Sequence, residues 1–210
     1  MRLALGTALV LLFATAAEAQ LCTGNPSYTS NPYQVGLNAA FTDGAHGVSG
    51  DFGAGGEAFF ASAGVGVINF RDLDETATQV SATAGAELGQ FRTVFICPIA
   101  SVSVGIGPDI GDIDVSTFSV AGGGSVGVIA SQTDSLMIVP SFGLAAVYNR
   151  FTAEIRGDDV SESDSSGRAS IGVGFIFNQH VGISPALIVP FSAGNDDPIF
   201  EIRLSFGFGR

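Results

Sequence analysis

From about residue 33 onward the chain alternates apolar and small polar residues with a period of two. Only a β-strand turns that period into two different faces. Over residues 93–106 the even positions are Val94, Ile96, Pro98, Ala100, Val102, Val104 and Ile106. The odd positions pass from Thr93, Phe95, Cys97 and Ile99 to Ser101, Ser103 and Gly105. The split recurs where Leu136, Ile138, Pro140, Phe142, Leu144, Ala146 and Tyr148 oppose Ser141, Gly143, Ala145 and Asn149. It recurs again where Ala169, Ile171, Val173, Phe175 and Phe177 oppose Arg168, Ser170, Gly172 and Gly174. At the end of the chain Phe200, Ile202, Leu204, Phe206 and Phe208 oppose Glu201, Arg203, Ser205 and Gly207.

Ten such segments are legible, at 33–42, 46–54, 58–70, 78–88, 93–106, 115–131, 135–153, 167–178, 181–191 and 198–208. Most reach the roughly nine to eleven residues with which a tilted strand crosses a bilayer. The first hairpin could instead belong to an N-terminal segment, which would leave eight strands. The chain has 29 Gly and 17 Phe, and only 13% of its residues are charged. No segment after the N-terminus approaches the roughly 20 apolar residues of a membrane helix. A hydrophobic chain without hydrophobic helices has either an oversized soluble core or strands whose apolar face meets lipid. Gly and Ser dominate the opposite face, which would be an odd exterior for a soluble protein. The expected fold is therefore all-β: a closed antiparallel up-and-down transmembrane barrel of about ten strands, with eight as the alternative.

The N-terminus reads as a signal peptide. Arg2 is a minimal basic region, residues 3–17 form an apolar run, and Ala17-Glu18-Ala19 is an A-x-A cleavage site. Cleavage there starts the mature chain at Gln20. The expected organisation is a signal peptide over 1–19, an N-terminal periplasmic or lumen segment over 20–32, and a barrel domain over 33–210. Export places the chain in the outer membrane of a Gram-negative bacterium. The net charge of −12, with every basic residue an Arg, makes nucleic acid an unfit partner.

The interruptions of the alternation come in two kinds. Short ones fall at 55–57, 89–92, 132–134 and 179–180, and long ones at 71–77, 107–114, 154–166 and 192–197. Outer-membrane barrels have short periplasmic turns and longer external loops. Acids gather in the long interruptions: Asp72, Asp74, Glu75, Asp109, Asp112, Asp114, Asp158, Asp159, Glu162, Asp164, Asp196 and Asp197. The short ones hold only Glu57 and Asp134. Pro98, Pro140 and Pro185 each sit near the start of a strand that rises from a short turn. Proline removes a ladder bond, so its recurrence at one depth suggests a repeated hairpin, with a bulge.

If the apolar face meets lipid, the other face lines a narrow lumen. Glu87, Arg168, Glu201 and Arg203 are then candidate lumen charges, expected to pair or to be hydrated. Cys97 falls on the inward face near the periplasmic end, and Cys22 lies in the N-terminal tail at the same end. The two are expected to form a disulfide that ties residues 20–32 into the barrel mouth, a staple worth about 4–5 kcal/mol on the chain-entropy model. Such a plug argues against a wide general channel.

Within this frame the chain offers few catalytic or metal motifs. Gly123-Gly124-Ser125-Val126-Gly127 fits G-x-S-x-G, but a nucleophile elbow needs a strand–turn–helix context and here the match lies inside an alternating strand. His46 beside Asp43 and Asp51 is the only constellation a barrel enzyme could use; His180 falls in a short turn away from the acids. Asp109, Asp112, Asp114 and the Asp158–Asp159 pair carry hard oxygen ligands, but their spacing fits no calcium loop, and a solvated acidic rim is the simpler reading. No catalytic residue, cofactor site or metal site is expected.

With these residues in view, the chain resembles the small bacterial outer-membrane β-barrel proteins of the OmpA/OmpX-like type over about residues 33–208. The resemblance rests on the signal peptide, the alternating strands, the two kinds of connection and the final strand FEIRLSFGF. The family usually ends on an aromatic residue that the barrel-assembly machinery reads; this chain ends Phe208-Gly209-Arg210. The resemblance implies a non-enzymatic integral outer-membrane barrel with a structural, surface-interaction or narrow-pore role. Outer-membrane lipid and lipopolysaccharide are its implied partners, with the assembly machinery during biogenesis. The competing expectations are a soluble secreted barrel holding a small apolar ligand and a barrel enzyme.

Overall fold

The computed structural model of the 210-residue chain describes residues 21–56, 58–71, 75–88, 90–91, 93–107, 113–155, 158–191 and 197–209. The expected signal peptide with Gln20, and Asp72, Asp74, Asp109, Asp112 and Asp196, lie outside them.

The alternating segments become ten long antiparallel strands. In chain order they are β1 (Tyr33–Phe41), β2 (Ala45–Gly55), β3 (Phe59–Phe70), β4 (Glu75–Ala86) and β5 (Val94–Ile106). They continue with β6 (Ile113–Val128), β7 (Leu136–Ile155), β8 (Asp158–Phe177), β9 (Val181–Phe191) and β10 (Ile199–Phe208). Each pairs with the next, and β1 pairs with β10 from Tyr33↔Phe208 to Phe41↔Phe200, so the sheet closes. The first hairpin is part of the wall, which makes the barrel ten-stranded rather than eight. Two short pieces, Gln90–Phe91 and Ser131–Gln132, add pairing at the starts of β5 and β7.

Register fixes the faces. The outward rows run side by side from strand to strand, as in Val48↔Val67, Val65↔Val80, Val80↔Val104 and Val104↔Phe118. A slip of one residue would turn each row inward. Outward aromatics collect at two levels. Tyr33, Phe52 and Phe208 are packed together at the end where the chain enters β1. Phe41 and Phe200 stack at the opposite end. Tyr33 and Phe41 lie eight residues apart on β1, roughly 27 Å along the strand and about 20 Å along the axis at the usual tilt of ~40°.

The end holding residues 56–58, 87–93, 129–135 and 178–180 is called here the turn end, and the other the loop end. At the turn end Asn178 and Gln179 take φ of 49° and 63°, the left-handed pair that a tight hairpin turn requires. The prolines interrupt the ladder there. Pairing between β4 and β5 stops at Gly85↔Ile99, beside Pro98, and resumes one residue out of step at Gln90↔Phe95. Beside Pro140 the β6–β7 ladder stops at Gly127↔Ser141 and resumes out of step at Ser131↔Ile138. At Pro185 the β8–β9 ladder skips Val173 and Gly174 but keeps its register.

The sorting of connections into short and long does not survive. The interruption at 154–166 is not a loop: β7 and β8 are 20 residues each and pair down to Asp158↔Ile155. Antiparallel pairing needs no apolar face, so the ladder continues after the outward row changes from Leu144, Ala146 and Tyr148 to Arg150, Thr152 and Glu154. Hydrophobic alternation marks where the apolar outward face ends, not where the strand ends. Asp114 begins β6 in the same way, paired with Glu154, and Glu75 opens β4. The result is a polar extension of β6, β7 and β8, which stay paired as far as Ile155.

Candidate functional site

The site is the barrel interior, and its floor is the N-terminal segment. Residues 21–32 follow a short 3-10 turn, Leu21–Thr23, and fill the turn end. Leu21, Cys22, Tyr28 and Asn31 are all at most 2% exposed. Cys22 is bonded to Cys97 of β5, with a Cα–Cα distance of 6.0 Å. Leu21 and Cys22 pack against Phe95, Met137, Val139 and Ile176, the only cluster of large inward apolar residues of this size among the described residues. Tyr28 stacks on Phe60 of β3 at a centroid distance of 5.9 Å.

Polar groups fix the rest of the segment. Gln34 Nε2 of β1 donates to Pro26 O at 2.6 Å, and Ser184 Oγ of β9 donates to Gly24 O at 2.7 Å. Asn31 Nδ2 donates to Gln179 O at 2.6 Å, and its Oδ1 meets His180 Nδ1. Two wall glycines permit this closeness. A Cβ at Gly174 would run into the backbone of Gly24, and one at Gly127 into the backbone of Leu21 and Cys22. The segment thus touches nine of the ten strands: β1, β2, β3, β5, β6, β7, β8, β9 and β10.

Above this floor lies an open chamber. One part, of about 250 Å³, lies between Thr23 and Asn25 below and Ser62, Thr83, Ser141, Ser184, Glu201 and Arg203 around it. A second part, of about 230 Å³, runs beside Ser101, Ala121, Gly123, Gly143, Ala145 and Arg168. The two share Thr23, Ile99, Ser125, Ser170 and Ile188, so they form one space. Its wall is mostly hydroxyl and small side chains.

The charges expected in the lumen are arranged as follows. Arg203 Nη2 of β10 reaches over Gly36 of β1 to Asp51 Oδ2 of β2 at 2.7 Å. Glu201 lies beside Arg203 and hydrogen-bonds Asn38. Glu87 is buried at 2% exposure near the turn end, away from this cluster. Arg168 of β8 stands apart: its register neighbours are Ala145 and Pro190, and its Nε finds no protein acceptor. Sequence reasoning grouped Glu87, Glu201, Arg168 and Arg203 as prospective partners; the structure pairs Arg203 with Asp51 instead. The face rule alone puts Asp51 inward, but pairing two residues across an intervening strand needs the closed register.

His46 and Asp51 lie on opposite faces of β2, His46 outward opposite Phe41 and Asp51 inward opposite Gly36. Asp51 therefore does not face His46 as the sequence constellation of His46, Asp43 and Asp51 would need. Ser125 is inside β6 with no helix after it, 8% exposed. Among the described residues no group of three or more His, Cys, Asp and Glu is placed to hold a metal. The apolar patch of Phe95, Met137, Val139 and Ile176 was missed as a site. Its signal is visible in the sequence, because the inward face turns large and apolar only where those strands start.

No protein-family model matches the chain. No curated protein matches it. Solved structures do. The translocator domain of autotransporter NalP from Neisseria meningitidis is 12% identical, with a TM-score of 0.51, over 84% of this chain and 86% of that one. A bacterial polysaccharide outer membrane secretin is 9% identical, with a TM-score of 0.50, over 86% of this chain. The chain spans 66% of that secretin's length. Neisserial surface protein A (NspA) is 11% identical over 84% of this chain and 97% of that one, with a TM-score of 0.45. The ten-stranded closed wall derived above is thus similar in fold to barrels of bacterial outer-membrane proteins.

Proposed function

We propose that this chain is a non-enzymatic integral barrel of a bacterial outer membrane, blocked at its periplasmic end by its own N-terminal segment. Its role on this reading is structural or surface-interacting, and it is not an open pore. The observation that carries the proposal is the outward face. Val48, Val65, Val80, Ile171 and Leu144 are each more than half exposed, in continuous rows between two aromatic levels. Water is a poor solvent for such a surface, and a bilayer is a good one. The interior is hydroxyl-lined, so the soluble barrel with an apolar ligand is disfavoured. The chain's likeness to a secretin named for the outer membrane supports the same compartment.

The turn end is assigned to the periplasm, because the chain enters and leaves the barrel there. The polar extension of β7 and β8 then lies on the outer side, with Glu154, Glu162 and Asp164 on it. An acidic surface of this kind would approach lipopolysaccharide phosphates through divalent cations. The test is fractionation of the expressed protein, followed by gel mobility with and without boiling. Outer-membrane location with a mobility shift on boiling is the expected result, with no steady conductance in planar bilayers. A soluble protein without a shift refutes the membrane reading; a steady ohmic conductance refutes the block.

A further inference from the structure

We infer that the chamber above the N-terminal segment binds a small soluble ligand through an oxyanion, with Arg168 as its anchor. The inference rests on the blocked-barrel reading only for the direction of entry, from the loop end.

Arg168 is the observation that needs explaining. The wall gives every other described lumen arginine a carboxylate, since Arg203 holds Asp51. Arg168 has none. Across the sheet it faces Ala145 and Pro190, neither of which offers a side-chain acceptor. Along its own strand the adjacent inward residues are Ser166 and Ser170. In a chain of net charge −12, a half-buried guanidinium surrounded by Ala, Pro and Ser is not short of acids to pair with elsewhere.

The surroundings complete a receptor for an anion. Ala121, Gly123, Gly143 and Ala145 line the space of about 230 Å³ beside the guanidinium without bulky side chains. Ser125 lines the same space. It is 8% exposed, and its Oγ has no hydrogen-bond partner among the described residues. Ser101 and Ser170 line the space as well. A planar guanidinium with hydroxyl donors around it matches a carboxylate or phosphate, to which Arg can donate two parallel bonds. A neutral ligand would leave the charge unmet. A cation would meet repulsion from Arg168 and compete with Arg203 for the carboxylates at the other wall.

The test uses the full mature chain in a non-ionic detergent, which brings no phosphate headgroup of its own. Inorganic phosphate and acetate are titrated separately by calorimetry. Saturable binding of either supports the inference, and the better probe tells a phosphate-bearing from a carboxylate-bearing ligand. Arg168→Gln should weaken binding about tenfold or more, the usual loss for a charge-assisted pair. Arg168→Lys should recover part of it, and Arg150→Gln, on the outward face of β7, should change nothing. Absence of saturable binding by both probes up to about 10 mM overturns the inference. So does binding that Arg168→Gln leaves intact. The mobility shift on boiling is read for every variant. Its loss in the wild-type protein counts against the membrane reading and not against the site, and its retention in Arg168→Gln shows that lost binding is not lost folding.

Discussion

Replacing Cys22 and Cys97 together by serine measures what holds the floor of the barrel. The bridge joins positions 75 residues apart. On the chain-entropy model a cross-link of that span removes about 15 cal/mol/K from the unfolded ensemble, or about 4.5 kcal/mol at 25 °C. Both cysteines are 0% exposed, so the serines would also leave two hydroxyls in an apolar cluster of Leu21, Phe95, Met137, Val139 and Ile176. That adds a cost of the same sign, about 1–3 kcal/mol for each hydroxyl left without a partner. The assay is a denaturant titration of the detergent-folded barrel, read by the fraction that keeps its unboiled mobility. The double variant should unfold at a clearly lower midpoint, with the N-terminal segment newly open to protease. The wild-type bridge should resist reductant while the barrel is folded and yield once it is unfolded, which alkylation and mass measurement would show. An unchanged midpoint with an equally protected segment would refute the reasoning. It would mean that contacts alone hold residues 21–32 and that the bridge constrains nothing.

Three further outcomes are expected. Gly174→Val should displace the segment without dissolving the wall, because its Cβ meets the Gly24 backbone rather than a movable side chain; protease accessibility near Gly24 with a retained mobility shift is the readout, and continued protection would contradict it. Val65→Arg places a charge mid-strand on the outward face, where Val65 is 61% exposed; it should cost about 2–4 kcal/mol in a bilayer, and a variant as stable as the parent in vesicles would count against lipid contact there. Asp51→Asn leaves Arg203 without its carboxylate in a partly buried site, with side chains 23% and 15% exposed; a loss of about 1–3 kcal/mol is expected from unfolding midpoints, and no change would mean that the pair is screened as a surface pair is.

The polar extension of β7 and β8 shows where pattern reading stops. Alternation located the part of β7 and β8 with an apolar outward face well. It ended the strands too early, because Arg150, Thr152, Glu154 and Ser163 carry no apolar signal although their backbones remain paired. The same limit applies to the lumen. Face assignment placed Glu201, Arg203, Arg168 and Cys97 inward, but it could not say which of them meet.

The period-two pattern by itself determined the strands, their faces and the all-β class, since each of these follows from the local geometry of a pleated chain. The cysteine count pointed to the bridge, since two cysteines allow a single intramolecular pairing. Closure of the sheet decided the rest. Only when β10 pairs with β1 does Arg203 come to lie across Gly36 from Asp51. Only when the wall surrounds residues 21–32 do Phe95, Met137, Val139 and Ile176 find a common partner in Leu21. Those contacts join residues distant in sequence, and their geometry depends on the register of every strand between them. No local pattern carries that information, and the tertiary structure alone supplies it.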